Sequence, residues 1–484
     1  MTFDCQARAS VRARRVAAVL TAIVSLVACA HTDRGTERDA LGRVLPVPTS
    51  PPTQPPKLFV RADKSYDAEI RNVVTDLQRF WTTEFPNVYQ GPYKPVRRFF
   101  AYASATRMPV CDRRTAPYLL LQNNAFYCRE DDFIAWDDGQ LFPGLDKDFG
   151  RFAIALVLAH EWGHAIQQRA EVDQDTVIME QQADCFAGAW TRHVETDPSS
   201  RKRLGFKAAD LDVALAGLVR FRDLIGMTAA SLGAHGTGFD RVRAFQEGYA
   251  KGAGECARYA EDPPVLVGIP FTSLQSRLFG GDAPFSKVVP RVTKSLNEYW
   301  RLDPGFTVEK NSKRDPKRVA ACSGPILTVD GVSASDLSFC GATRTVRYSE
   351  TKLRRMYDDF GDFSIATAFG ELWAKAQVPT VDGTAPSPER VLCHTGAWAH
   401  SVFQDTVSTE PGGPSNDSTL RPPTTLAPSN RLTLSPGDLD ESVQWLLRSD
   451  RPTSGAAGTP GRAFALVDAF RVGFTGQHEL CDRL

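Results

Sequence analysis

The chain has 484 residues, 42% of them hydrophobic, which is enough for two or three folded units with sizeable cores. Lys plus Arg and Asp plus Glu each number 57, so the formal charge is zero. That leaves no net basic field, and nucleic acid is not a favoured partner.

Residues 1–28 read as a lipoprotein signal peptide. Arg8, Arg12, Arg14 and Arg15 form a basic start, and Val16–Ala28 is an apolar run of thirteen. A bilayer span needs about 20 residues, so this run is too short to cross a membrane but suits a signal core. It ends in Leu26-Val27-Ala28-Cys29, which is similar to a bacterial lipobox. That resemblance implies cleavage before Cys29, a lipid on its thiol, and a protein held at the extracytoplasmic face of the membrane. An ordinary secretory signal followed by a chance cysteine is the alternative. Residues 29–57 form a tether: His31–Lys57 is polar and then proline-rich ("PVPTSPPTQPPK"). Of ten cysteines, Cys5 leaves with the signal and Cys29 carries the lipid. The other eight are an even set in a compartment where disulfides persist.

A first folded unit is expected over residues 58–262. In "SYDAEIRNVVTDLQRFWTTEF" the apolar Ile70, Val73, Val74, Leu77 and Trp81 fall at helical spacing. Strands are expected in "KPVRRFFAYA", in "APYLLLQN" (Ala116–Asn123) and in "DFIAW" (Asp132–Trp136). Helices follow over Phe149–Arg169, Val177–Val194, Asp210–Leu224 and Asp240–Glu261, and the pattern stops near Asp262-Pro263-Pro264.

Residues 263–484 repeat the order of these features. "LQRFW" (Leu77–Trp81) returns as "LNEYW" (Leu296–Trp300). Cys111 and Cys128, seventeen apart, return as Cys322 and Cys340, eighteen apart. "DFGRFAIALVLAHEWGHA" (Asp148–Ala165) aligns without a gap on "DFGDFSIATAFGELWAKA" (Asp359–Ala376). "CFAGAW" (Cys185–Trp190) matches "CHTGAW" (Cys393–Trp398), and "DLD" occurs at Asp210 and again at Asp438. "VRAFQEGYAKGAGEC" (Val242–Cys256) aligns on "VDAFRVGFTGQHELC" (Val467–Cys481). The shared order implies an internal duplication. A cysteine pattern common to both copies favours pairing within each: Cys111–Cys128 with Cys185–Cys256, and Cys322–Cys340 with Cys393–Cys481. The second copy carries an insert, Asp405–Gly437, rich in Pro, Ser and Thr and expected to be a mobile loop.

The chemistry is concentrated in "AHEWGH" (Ala159–His164). Residues four apart on a helix share a face, so His160 and His164 can meet one ion, and Glu161 lies beside that face. A catalytic zinc takes three protein ligands and keeps a position open for water, whose pKa it lowers towards neutral. A carboxylate can then take the proton, which is why H-E-x-x-H suits peptide hydrolysis. Two histidines and a glutamate inside an apolar helix are also costly without partners. A histidine six residues after His164 would mark a metzincin, but Ala170 stands there. Downstream, Glu180 and Asp184 in "EQQAD" share a helical face. Glu180 can complete the zinc shell and Asp184 can fix the tautomer of a ligand histidine. A solvated acidic helix face is the plainer reading, and the small apolar neighbours "ADCFAGAW" speak against it.

"FYC" (Phe126–Cys128), "AHEWGHAIQ", "EQQADCFAGAW" and "HGTGFDRVRAFQEGY" together resemble the bacterial neutral zinc metallopeptidases, and the whole chain resembles the actinobacterial lipoprotein peptidases of that group. The likeness covers about Phe59–Glu261. It implies an α+β, zincin-like fold with zinc held by His160, His164 and Glu180 and with Glu161 as general base. It also implies an extended peptide or protein substrate on an edge strand near Phe133–Trp136. His235, in "HGTGFDR", is the candidate to stabilise the developing oxyanion, with Arg241 as the other possibility. Phe239 departs from the small or polar residue the family usually has there. Tyr249 is a weaker candidate that fits the core better.

In the second copy His160 becomes Glu371, Glu161 becomes Leu372 and His164 becomes Lys375. Glu180 becomes Pro388 and Asp184 becomes Leu392. That copy reads as a degenerate pseudopeptidase domain. A membrane-anchored zinc peptidase is therefore the leading expectation. A binding or scaffold lipoprotein with an inactive or structural zinc is the rival, and metal-dependent hydrolysis of a non-peptide amide is a third reading.

Overall fold

The computed structural model describes residues 57–59, 64–106, 108–220, 235–267, 280–311, 322–408, 431–447 and 461–484, with Arg222, Asp223, Ile225, Ile269, Phe271, Arg277 and Leu278 between them. The expected signal segment, Cys29 and the tether up to residue 56 lie outside these residues, as does the insert over 409–430.

The first half begins with β1 (Lys57–Phe59) and α1 (Asp67–Tyr89). Ile70, Val73, Val74, Leu77 and Trp81 are all buried on one face of α1, as the helical spacing requires. Then come β2 (Arg98–Tyr102), a single helical turn α2 (Tyr118–Leu121), β3 (Ala125–Cys128) and β4 (Phe133–Asp137). The sheet runs β1-β2-β4-β3, with β2 parallel and β3 antiparallel to β4. This corrects two expectations. Phe133–Trp136 is an inner strand, and Ala125–Cys128 forms the edge. β4 is buried at every position, so its unbroken apolar run marks a strand covered on both faces. "APYLLLQN" is a helical turn, not a strand. Pro117 presets the backbone for a first turn, and Leu119 and Leu120 are 79% and 73% exposed, so no sheet face claims them.

The helices described after this sheet are α3 (Leu141–Asp148), α4 (Arg151–Arg169), α5 (Thr176–Thr196), α6 (Pro198–Leu204), α7 (Ala209–Arg220), α8 (Gly238–Lys251) and the short α9 (Ala253–Ala257). The expected single helix over Asp240–Glu261 is broken at Gly252, whose φ of 83° is outside the range of a right-handed helix.

The second half contains α10 (Phe285–Tyr299), β5 (Thr307–Lys310), β6 (Ile326–Thr328), β7 (Leu337–Cys340) and β8 (Thr345–Tyr348). It continues with α11 (Glu350–Phe360), α12 (Asp362–Gln377), α13 (Pro388–Ser408), α14 (Asp438–Leu447) and α15 (Arg462–Phe474). Its sheet runs β5-β8-β7-β6, with β5 parallel and β7 antiparallel to β8. The core trio β5-β8-β7 thus has the arrangement of β2-β4-β3. The difference is at the rim, where β6 pairs antiparallel with the outer side of β7. Among the described residues no strand lies outside β3.

Matching sequence positions make matching contacts. A Cβ on Gly188 would meet the Phe245 carbonyl oxygen at 2.0 Å, and one on Gly248 would meet that of Cys185 at 1.8 Å. The aligned Gly396 and Gly473 meet the carbonyls of Phe470 and Cys393 at 1.9 and 1.8 Å. Phe152 stacks on Trp190 at 6.1 Å and Phe363 on Trp398 at 6.0 Å. All four expected disulfides are present. The halves also meet reciprocally: Phe464 N–H donates to Asp212 at 2.8 Å, and the aligned Phe239 N–H donates to Asp440 at 2.8 Å. One hydrophobic core cluster runs through both, and the described ends of the insert belong to it: Leu432 and Leu434 are buried, and the Leu434 N–H donates to Thr406 Oγ1 at 3.0 Å. The expected mobile loop is therefore packed at its described margins.

Replacing Gly248 by Ala forces α5 and α8 apart, since no flexible side chain is there to yield. A loss of about 3 kcal/mol, seen as a lower Tm in a thermal melt, is expected, and the aligned Gly473→Ala should lose a similar amount.

Candidate functional site

α4 carries His160, Glu161 and His164 on a helix whose surroundings are almost wholly apolar, and the exposures of His160 and Glu161 are 9% and 6%. α5 brings Glu180 and Asp184 against it. The two backbones touch at Gly163, where a Cβ would lie 2.7 Å from Ala183 Cα. That closeness lets the short Glu180 side chain reach both histidines. Its Oε2 is 3.1 Å from His160 Nε2 and its Oε1 is 3.3 Å from His164 Nε2. One donor atom from each of the three lies within 4.8 Å of the others.

The far ring nitrogens are taken. His160 Nδ1 is 2.8 Å from Asp184 Oδ1, and His164 Nδ1 is 2.8 Å from Gln167 Oε1. With protons on the Nδ1 atoms, both Nε2 lone pairs face Glu180, the tautomer that a metal ligand needs. Gln167 is itself oriented by donating to the Met179 carbonyl at 2.6 Å. Arg241 reaches from α8 to grip Asp184 twice, with Nε 2.7 Å from Oδ2 and Nη2 2.9 Å from Oδ1. Arg241 is 4% exposed and bidentate on Asp184, and it also contributes to the wall of the cavity beside Glu161.

The residues fit zinc. Two imidazoles and one carboxylate form the donor set of a catalytic zinc site. Glu180 Oε2 is buried 3.1 Å from His160 Nε2, and with the ring protons on Nδ1 it faces a lone pair and not a donor, an arrangement that a cation between them relieves. Burial opposes the charged form of every group here. It lowers the His160 ring, but the Asp184 and Glu180 carboxylates outweigh it and raise the pKa to about 10. Burial likewise acts to raise Glu180, yet His164 and His160 hold it well below the usual carboxylate range. Metal-free, this cluster keeps protons that a metal ion must displace. Glu161 is pushed up by burial, with His160 and His164 pulling it back.

A cavity of about 310 Å³ opens beside Glu161. Leu141 and Leu145 of α3, Leu156 and Val157 of α4, and Leu218 of α7 make it apolar, and Asn123–Ala125 place its rim at the start of edge strand β3. His235 lines the same cavity, with its side chain 47% exposed. Asp223 accepts its backbone N–H at 2.9 Å and lies 3.3 Å from its ring, and Gln181 donates to its carbonyl at 3.1 Å. Tyr249 is away from the cavity, bonded to Glu195 and Arg192. Sequence reasoning missed Gln167 and Asp223. Gln167 left a signal, an amide three residues after a ligand on the same helix face, and it is fully buried. Asp223 left none, because it is brought in by a loop.

In the second half the equivalent place holds Lys375. Its Nζ is 3.0 Å from Glu371 and 3.1 Å from Asp330, and it donates to the Thr328 carbonyl of β6 at 2.8 Å. An ammonium stands where the first half gathers metal-ligand atoms, and a strand of the same chain lies across it.

A model of the family described as "Putative neutral zinc metallopeptidase" matches residues 15–259, half of the chain. Two curated relatives, both uncharacterized proteins named YpfJ, from Escherichia coli strain K12 and Escherichia coli O6:H1, are 30% identical over 154 aligned positions. The match covers 26% of this chain and 50% of each relative, so the chain spans half the length of the curated relatives it matches. No solved structure matches.

Asp184→Asn removes the charge that holds His160 and Arg241 together. Zinc affinity, measured by competition with a chromogenic chelator, should fall about 10–100-fold.

Proposed function

Because the chain belongs to the neutral zinc metallopeptidase family, we propose that its first half is a peptidase whose zinc is held by His160, His164 and Glu180. The observation that carries this reading is the convergence of two imidazole nitrogens and a carboxylate oxygen within 4.8 Å, with Glu161 beside them on the wall of an apolar cavity. Zinc there supplies a Lewis acid that polarises a carbonyl and lowers the pKa of water towards neutral. Glu161 takes the proton from the attacking water and passes it to the leaving amine nitrogen, so that one carboxylate serves first as base and then as acid. Asp184 and Arg241 keep His160 in the ligand tautomer, and Gln167 does the same for His164. His235 faces the cavity from a loop pinned by Asp223 and is the group proposed to donate to the developing oxyanion.

An extended peptide pairs with the open side of β3, and its apolar side chain next to the cleaved bond enters the cavity between α3, α4 and α7. The second half supports this path. There β6 lies antiparallel on the strand that corresponds to β3, and its Thr328 carbonyl accepts from the Lys375 ammonium. We read that half as a degenerate copy whose cleft is filled by its own chain and whose metal is replaced by a side-chain cation. The paired glycine crossings, the stacked Phe–Trp pairs and the reciprocal Asp212 and Asp440 contacts support descent from one duplicated unit. Leu26-Val27-Ala28-Cys29 supports a lipid anchor and an extracytoplasmic location.

Glu161→Gln keeps the size of the side chain and removes its ability to take a proton. Zinc content should stay unchanged while cleavage of quenched peptides with apolar residues falls by about 10²–10⁴-fold. Cleavage retained in that variant contradicts the mechanism. Wild-type protein that holds zinc and cuts no peptide, but cuts another amide or only binds a ligand, favours one of the rival readings.

A further inference from the structure

We propose that the second half holds a second metal site, for a hard divalent cation of the calcium class, formed by Asp282, Asp362 and Glu441 with Asp438 beside them. These residues come from three separate segments: the stretch ahead of α10, the start of α12 and the first turn of α14. One carboxylate oxygen from each of Asp282, Asp362 and Glu441 lies within 4.8 Å of the others. Carboxylates this close repel one another unless a proton or a cation lies between them. Asp362, Asp438 and Glu441 are 6%, 2% and 6% exposed.

The backbone satisfies part of each group. Asp362 Oδ2 accepts from Ala283 N–H at 2.9 Å, Glu441 Oε2 from Phe363 N–H at 2.7 Å and Asp438 Oδ2 from Ser435 N–H at 2.8 Å. What remains is Asp362 Oδ1 and Asp438 Oδ1, both buried and both without a hydrogen-bond partner. Burial and the neighbouring Asp282 raise the Asp362 pKa to about 7, although the charge of Arg291 on α10 acts to lower it. Buried carboxylates persist only when paired, metal-bound or neutralised. An all-oxygen donor set with no nitrogen or sulfur selects a hard cation, and irregular spacing from three segments suits the flexible shell of calcium better than the strict octahedron of magnesium.

The cluster is not part of what the two halves share. Arg151 stands at the position of Asp362 and pairs with Glu69, while Val213 stands at the position of Glu441. The site belongs to the second half alone, and it sits where that half meets the first. The same turn of α14 carries Asp440, which accepts the Phe239 N–H at 2.8 Å and pairs with Arg222 at 3.1 Å. Phe239 precedes Arg241 on α8, so a cation fixing α14 also braces the helix that orients the zinc ligands.

The test is terbium luminescence on the full chain from His31 onward, with disulfides intact and zinc bound. Trp445 is one turn beyond Glu441 on α14 and can sensitise a lanthanide there. Saturable emission with one ion per chain, displaced by calcium, is expected. Glu441→Gln and Asp362→Asn, isosteric and checked for folding by their zinc content, should each weaken binding at least tenfold, and His164→Ala should leave it intact. No saturable terbium or calcium binding in the wild type overturns the proposal and leaves a carboxyl cluster that shares protons. Binding that survives both carboxamide variants, or is lost in His164→Ala, also overturns it.

Discussion

The site rests on one buried ion pair, the bidentate grip of Arg241 on Asp184. Both side chains are almost wholly removed from water, and Asp184 also holds the His160 ring. Removing one partner of such a pair strands a charge in the interior, at a cost of about 3–5 kcal/mol. The pair has to be positioned by backbone, and the backbone contacts are unusually close. Gly163 lets α5 lie on α4, while Gly188 and Gly248 let α8 lie on α5. The Cys185–Cys256 disulfide then ties α5 to the segment after α8. Three helices in direct backbone contact therefore fix where two imidazoles and one carboxylate point.

The second half repeats much of the same frame without the site residues. The glycine crossings, the disulfides and the stacked Phe363–Trp398 pair remain. Where His164 stands in the first half, Lys375 places an ammonium between Glu371 and Asp330, so positive charge is still supplied to a carboxylate-lined interior. The half also keeps a structural duty. Through Asp440 it caps the backbone at Phe239, at the start of the helix that ends the chain from Arg241 to Asp184 to His160. A half without the site residues thus still contributes a contact on which the site's geometry depends.

Much of this was legible in the sequence because it depends on local spacing. Four-residue intervals placed His160 with His164 and Glu180 with Asp184 on shared helix faces. The repeated cysteine order gave all four disulfides. What was not legible depends on long-range packing. The family resemblance implied an edge strand near Phe133–Trp136, but the unbroken apolar run there signals burial on both faces. The leucines of "APYLLLQN" looked like a strand, yet no sheet face is free to cover them. Asp223 reaches His235 across a separation of twelve positions, an interval with no periodic signature. The acidic cluster of Asp282, Asp362 and Glu441 assembles from segments separated by about eighty residues each, so no window of sequence contains it.

The most direct test is metal content. Protein purified from His31 onward under oxidising conditions, analysed for zinc per chain beside His164→Ala and Glu180→Ala, should hold one zinc that is lost or weakened in both variants. Zinc absent from correctly disulfide-bonded protein, or retained at full occupancy in both variants, would contradict the assignment of His160, His164 and Glu180 as its ligands.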